Sequence, residues 1–329
     1  MNSIWNPTQS LGVICRRDLS AFLVLMEGKI ISCRLSPRFG GMPGLQDQPK
    51  IQARHSGKPR TGTHTVPALA VGDRVSVEQI DSGTGWITEI FPRRNRISRQ
   101  ATGGPGEQIL AANIDQVLAF CGLGAANPEW HQLDRFLALA EIEGVPAVIV
   151  LSKADRMQPS GTPSSEIDRE ICDYQRMGYP VILCSVRTGL GISEMGSILR
   201  GKYSLLLGKS GVGKSSLLNA LFPDWHLRVA ETSRFGEGRC TTSNAELHPL
   251  GDGAVVDTPG IRRLALWDTG GSNPAFGFRE MRPLVGLCRF GMDCRHTKEP
   301  GCAIRRAVET GRVSVRRFRS MLHLAKDRP

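Results

Sequence analysis

The sequence predicts a multidomain protein with a small N-terminal β-barrel, a central α/β domain on a largely parallel sheet, and a C-terminal helical segment built around a metal. Three observations lead there. Short β-prone runs divided by turn residues fill roughly the first hundred positions. From Asn113 onward, apolar runs alternate with helical or loop segments. Near the end, Cys288, Cys294, His296 and Cys302 crowd into one short stretch. A chain of 329 residues, 40% of them apolar, exceeds what one core usually serves. The expected boundaries are 1–100 for the barrel, 101–270 for the α/β domain and 271–329 for the C-terminal region.

The barrel strands are expected at Phe22 to Met26, Lys29 to Cys33, Arg74 to Gln79 and Gly85 to Ile90. Between them, Ser36 to Pro67 is rich in Gly, Pro, Arg and Gln and reads as a basic loop. The stretch from Arg16 to Met26 superficially resembles a twin-arginine export signal. Its apolar part is short, Glu27 and Lys29 follow, and no small-residue cleavage site appears, so a buried strand is the better assignment.

In the α/β region the expected strands are Val117 to Phe120, Ala147 to Leu151, Val181 to Cys184, Ser204 to Leu207 and Ala254 to Val256. One intervening helix is clear, because Leu133, Phe136, Leu137 and Ala140 share a face and Gly144 with Pro146 stops it. Strands cease after Trp267. Two helices then follow, Ala303 to Thr310 and Val315 to Ala325, broken by Gly311.

The charge of +11 and pI near 9.5 favour a polyanionic partner. Most of that excess lies late: Arg279 to Pro329 holds 13 Lys/Arg against 5 Asp/Glu. Nine cysteines, mostly unpatterned, suit a reducing compartment, and the expected location is the cytoplasm. No apolar run approaches a membrane span, so no membrane partner is expected.

The most specific local pattern runs from Gly208 through Lys209, Ser210, Gly211, Val212, Gly213 and Lys214 to Ser215, which matches G-x-x-x-x-G-K-[ST] between a strand and a helix that continues from Ser216. Glycines let the backbone wrap phosphate so that its N–H groups and the helix N-terminus meet the negative charge. Lys214 would reach the β- and γ-phosphates, and the Ser215 hydroxyl would ligate Mg²⁺. Three further segments follow strands. Asp257 to Gly260 is placed to hold Mg²⁺ through water and to sense the γ-phosphate with the Gly260 amide. Ser152-Lys153-Ala154-Asp155 looks like a guanine-reading NKxD motif, with Asp155 on the base and Lys153 over the ring. Ser185-Val186 opens a loop like the one whose backbone contacts guanine O6. A carboxylate rewards the two donors of guanine and faces an acceptor on adenine, so GTP/GDP is the expected ligand. Asp155 and Ser185 precede Gly208 here, the reverse of the ordinary order, which marks a circularly permuted P-loop GTPase domain.

Three thiols and one imidazole at Cys288, Cys294, His296 and Cys302 suit one closed, structural Zn²⁺. The helices after them carry Arg305, Arg306, Arg312, Arg316, Arg317 and Arg319 beside Ile304, Val308, Phe318 and Leu322, so that one face packs while the other meets phosphate.

Taken together, these motifs resemble the RsgA (YjeQ) family of circularly permuted GTPases. The likeness extends over Pro92 to Asn95, Ala112 to Val117, the permuted motifs, and Cys294 to Cys302. It implies an OB-fold, a GTPase domain and a zinc-binding domain, ribosome-stimulated GTP hydrolysis, and the small ribosomal subunit with its rRNA as partner of a monomeric protein. It also implies that Thr241 or Thr242 closes over Mg²⁺. The sequence departs from the family at three places. Ser152 stands where Asn or Thr is usual, the first zinc-site spacing is five residues instead of four, and Cys240 occupies the position of a histidine assigned a role in hydrolysis. Ile261 leaves no glutamine after the Asp257 motif, as in the family generally. Cys240 motivates the rival to a working GTPase, an rRNA-binding adaptor with an idle nucleotide switch. A P-loop ATPase or kinase is disfavoured by Asp155.

Overall fold

The computed structural model describes residues 9–18, 21–39, 69–100, 107–124, 128–157, 166–227, 245–258 and 273–326. They form two compact units that divide between Arg93 and Arg94.

The first unit is a closed barrel of β1 (Gln9–Arg17), β2 (Phe22–Met26), β3 (Lys29–Leu35), β4 (Arg74–Gln79) and β5 (Thr84–Ile90), in the order β1-β2-β3-β5-β4. Only the β3–β5 pair is parallel. Closure in this order gives the five-stranded OB-fold. Val24, Ile31, Cys33, Val75, Val77 and Ile87 fill the interior, as alternation along each strand requires. Asp73, fully buried, is held by two bonds from the Arg93 guanidinium at 2.6 and 2.7 Å and accepts from the Ala70 N–H.

The stretch Arg16 to Met26 is not one strand. Arg16 and Arg17 end β1, and the apolar run is β2, paired antiparallel with it. The full length of β1 escapes sequence patterning because a bulge between Ile14 and Arg16 buries the successive residues Ile14 and Cys15 and breaks the two-residue period.

The second unit opens with a hairpin, β6 (Arg96–Gln100) and β7 (Glu107–Ala112), which the sequence reading missed because Arg96 to Gln100 is mostly polar. A six-stranded sheet follows: β8 (Gln116–Gly122), β9 (Ala147–Ser152), β10 (Val181–Cys184), β11 (Tyr203–Leu207), β12 (Glu246–Leu250) and β13 (Gly253–Asp257), in the order β10-β9-β8-β11-β13-β12. Every pair is parallel except β12–β13. β12 was also missed. It contains Pro249, which lacks a ladder donor and is tolerated on an edge strand. The crossover helices are α1 (Trp130–Ile142), α2 (Glu166–Arg176), α3 (Ile192–Leu199) and α4 (Lys214–Leu221). Leu118, Phe120, Val150, Ile182, Leu206 and Val255 form the core between sheet and helices with Met195, Leu217 and Leu218.

Two helices, α5 (Ala303–Glu309) and α6 (Val315–Lys326), close the described chain. α6 packs on α1 through a buried charge cluster. The Asp134 carboxylate of α1, fully buried, takes Arg317 Nη1 on Oδ1 at 2.6 Å and Arg316 Nη1 on Oδ2 at 2.7 Å, while Tyr174 of α2 donates to Oδ1. Arg317, 1% exposed, also pairs with Glu280, and Arg316 with Glu170. Two of the six arginines expected on the C-terminal helices therefore face inward as structural groups.

Candidate functional site

Strands β8, β9 and β10 run outward on one side of the sheet and β11 and β13 on the other, so β8 and β11 meet where the strand order reverses. A crevice at the carboxyl ends of the strands at such a reversal is where open α/β sheets bind ligands. The loop from Gly208 to Gly213 leaves β11 at that point and leads into α4. Gly213 has φ of +108°, a conformation that L side chains rarely adopt, and Gly208 lies so close to β8 that a Cβ on it would come 2.9 Å from Phe120 Cβ. Lys214, buried, curls back over the loop and donates to Gly208 O at 2.9 Å and Lys209 O at 3.3 Å. Ser215 and Ser216 stand half-buried in the first turn of α4.

The loop after β9 is fastened to this one. Ser152 Oγ donates to Val212 O at 2.6 Å, and Lys153, at φ of +60°, extends its ammonium to Gly211 O at 2.7 Å. The short side chain of Ser152 thus makes the bond that ties the two loops together. Asp155 Oδ1 accepts from the Ser185 hydroxyl at the end of β10, at 2.7 Å. That bond holds the Asp155 carboxyl below the usual range, so it is ionised at neutral pH. Ser185 Oγ also accepts from Thr188 N, which shapes the exposed loop bearing Val186.

Asp257 ends β13, and Thr258 after it donates its hydroxyl to Leu206 O at 2.8 Å. Asp257 Oδ1 is buried without a hydrogen-bond partner, and burial raises its carboxyl above the usual range against the pull of the Lys214 ammonium. A buried carboxylate oxygen with no protein donor is suited to a hydrated cation, which fits Mg²⁺. Cys240, Thr241, Thr242 and Gly260 lie outside the described residues.

The cysteine cluster assembles as the spacing predicted. One ligand atom from each of Cys288, Cys294, His296 and Cys302 lies within 4.8 Å of every other. Cys288 Sγ is 3.8 Å from Cys302 Sγ, and His296 Nδ1 is 3.6 and 3.4 Å from those two sulfurs. Tetrahedral zinc, with Zn–S of about 2.3 Å and Zn–N of about 2.0 Å, sets edges of about 3.8 and 3.5 Å between such atoms. Burial, reinforced by the neighbouring thiols, pushes the Cys294 thiol up to about 12 and raises Cys302, so the thiolates need a cation at the centre to offset their cost. The Asn273 side-chain amide lies 2.7 Å from His296 Nε2 and aims Nδ1 at the sulfurs. Asn273 was not anticipated, since its Asn-Pro pair signals only a turn. Also missed was Glu129, which precedes α1 and pairs with Lys209 of the phosphate loop at 2.6 Å.

A loop with the P-loop pattern at the sheet reversal, fastened to a Ser-Lys-x-Asp loop that comes earlier in the chain, and a buried aspartate without a protein donor on the neighbouring strand make up the framework of a circularly permuted P-loop GTPase. The comparisons agree. The RsgA GTPase family model matches residues 90–267. A protein of Gemmatimonas aurantiaca, named small ribosomal subunit biogenesis GTPase RsgA, is 42% identical over 84% of this chain and 90% of its own. YjeQ from Thermotoga maritima superposes with a TM-score of 0.69 at 28% identity, over 96% of this chain and 97% of that one. YloQ, described as a circularly permuted GTPase, superposes at 0.65 and 26%, over 100% and 99%. This chain belongs to the RsgA GTPase family and is a GTP hydrolase.

Proposed function

We propose that this GTPase binds the small ribosomal subunit and its rRNA during late maturation, hydrolyses GTP faster when bound there, and then leaves. The arrangement of nucleotide-facing segments at one edge of the sheet, with Ser152 and Lys153 bonded to the phosphate loop, carries the catalytic half of this proposal. The names of the relatives and the basic C-terminal region support the ribosomal half. The division of labour is an RNA-binding barrel, a GTPase and a zinc-binding region, expected from the sequence over 1–100, 101–270 and 271–329, with the first boundary drawn back to Arg93 because β6 pairs with β7 in the second unit. The protein acts as a monomer in the cytoplasm, and no helix among the described residues is long and apolar enough to cross a membrane.

In the site, Asp155 reads the guanine edge, Lys153 covers the ring, and the Ser185–Val186 backbone meets O6. The N–H groups of Gly208, Lys209, Ser210, Gly211, Val212 and Gly213, with those of Lys214 to Ser216, surround the phosphates. Lys214 exchanges its bonds to Gly208 O and Lys209 O for the β- and γ-phosphate oxygens. Ser215 and Asp257 hold Mg²⁺, which supplies positive charge to the same oxygens. The Gly260 amide contacts the γ-phosphate, and Thr241 or Thr242 closes the front of the site. Cys240, at the sequence position of the family's histidine, would offer the attacking water only a weak donor.

GTP turnover of the purified protein, titrated with small subunits, tests this. Stimulation is expected, and absence of stimulation by subunits that bind would favour the adaptor with an idle switch. In the same titration Cys240→His should raise stimulated turnover roughly tenfold, equal to ~1.4 kcal/mol of barrier, because imidazole donates a stronger hydrogen bond than a thiol. Equal turnover would leave position 240 as packing only.

One structural Zn²⁺ per chain completes the proposal. Cys294→Ser or His296→Ala should release it and disorder the segment around Cys288 to Cys302 while GTP binding persists, since metal binding there is folding free energy. Metal analysis that finds no zinc in gently purified wild type, or full zinc in both variants, would count against a metal at this cluster.

A further inference from the structure

Three large apolar side chains project at the first loop of the cysteine cluster, Phe290 and Met292 within it and Leu287 immediately before Cys288. Leu287, Phe290 and Met292 are 69%, 49% and 58% exposed. The loop that carries them is braced. Cys288 and Cys294 anchor its ends in the cluster, Gly291 N donates to Cys288 O, Asp293 N to Phe290 O, and Arg289 N to Gly301 O. A tip fixed in this way cannot fold its apolar groups inward, so they are presented to something outside.

The surroundings indicate what. Arg289, Arg295 and Lys298 are exposed and make no ion pair among the described residues, whereas Arg279, Arg282, Arg316 and Arg317 are all engaged with carboxylates. Glu299, next to Lys298, turns its carboxylate to the N–H groups of Arg295, Thr297 and Lys298, and Asp293, the acid nearest Arg295 in sequence, makes no ion pair with it. A second copy of this chain would bring the same cations against these and be repelled. An unpaired nucleotide meets both demands, with phosphates for the cations and a flat apolar face for an aromatic ring.

We infer that the 287–292 loop is a base-contacting tip: Phe290 stacks on an unpaired base of RNA, Leu287 and Met292 flank the ring, and Arg289 and Arg295 hold the adjoining phosphates. This rests on the proposal that the protein binds the small subunit.

The test is equilibrium binding of the full-length, zinc-loaded protein to small subunits with a non-hydrolysable GTP analogue, across a salt series. Phe290→Ala should weaken binding at least about fivefold, the low end for a lost base–aromatic stack. Phe290→Trp should restore it. The slope of log affinity against log salt should be unchanged in Phe290→Ala but shallower by roughly one in Arg289→Ala and in Arg295→Ala. Zinc content and subunit-free GTP turnover should match wild type throughout, and a photoreactive phenylalanine analogue at position 290 should cross-link to rRNA. Wild-type affinity in Phe290→Ala, or cross-links to ribosomal protein alone, would overturn the inference while leaving subunit binding intact. Wild type that does not bind subunits at all would remove both.

Discussion

Asp134→Ala is expected to destabilise the second unit by about 3–5 kcal/mol, the usual cost of removing one member of a buried ion pair. The carboxylate is fully buried between two guanidiniums and a phenol, and its loss leaves Arg317, itself 1% exposed, with Glu280 as its remaining carboxylate. Burial alone would raise the Asp134 carboxyl, but Arg317 and Arg316 outweigh it and hold it below its ordinary 3.8. The sign follows from linkage. A carboxyl with a depressed pKa in the folded state contributes its full stabilisation above the unfolded value, and that contribution fades as pH falls below it. The variant should therefore lose stability at neutral pH and show a smaller further loss on acidification than wild type. Denaturant unfolding at pH 7 and at acid pH measures both. A loss under ~1 kcal/mol at neutral pH would mean that Glu280 and Glu170 suffice and that the cluster is not what joins α6 to α1.

Asp155→Asn should lower GTP affinity by roughly a hundredfold or more, about 2.7 kcal/mol, and shift preference toward xanthine nucleotides. The carboxylate offers two acceptors to the two guanine donors, whereas an amide offers one acceptor and one donor, which matches the extra carbonyl of xanthine. The Ser185 hydroxyl, donating at 2.7 Å, keeps the wild-type carboxylate charged and oriented. Ser185→Ala should weaken GTP binding less and in the same direction, without any gain for XTP. Competition binding with GTP, XTP and ATP reads all of these, and unchanged GTP and XTP affinities in Asp155→Asn would remove Asp155 from the base site.

The nucleotide and metal motifs were legible because their chemistry is local. A phosphate loop needs its glycines and lysine at set spacings for the backbone to turn, and a four-ligand cluster needs its cysteines and histidine close along the chain. The barrel was legible in its regular strands and obscured where a bulge at Ile14 to Arg16 broke the alternation. Ser152, by contrast, gained its meaning from the fold. In the sequence it marks only a departure from the usual Asn or Thr, yet its hydroxyl reaches Val212 O, sixty positions away, and fastens that loop.

By itself, the sequence determined the fold class, the permuted order, guanine as the expected base and the four candidate metal ligands. Tertiary structure alone decided which charges are free to meet a partner. Arg316, Arg317 and Arg319 sit within one basic run, yet Arg317 is buried on Asp134, 183 residues earlier, while Arg319 is exposed. Glu129 on Lys209 and Asn273 on His296 are decisions of the same kind. Burial and charge pairing depend on which distant side chain the packing brings within hydrogen-bond reach, and local spacing carries no record of that.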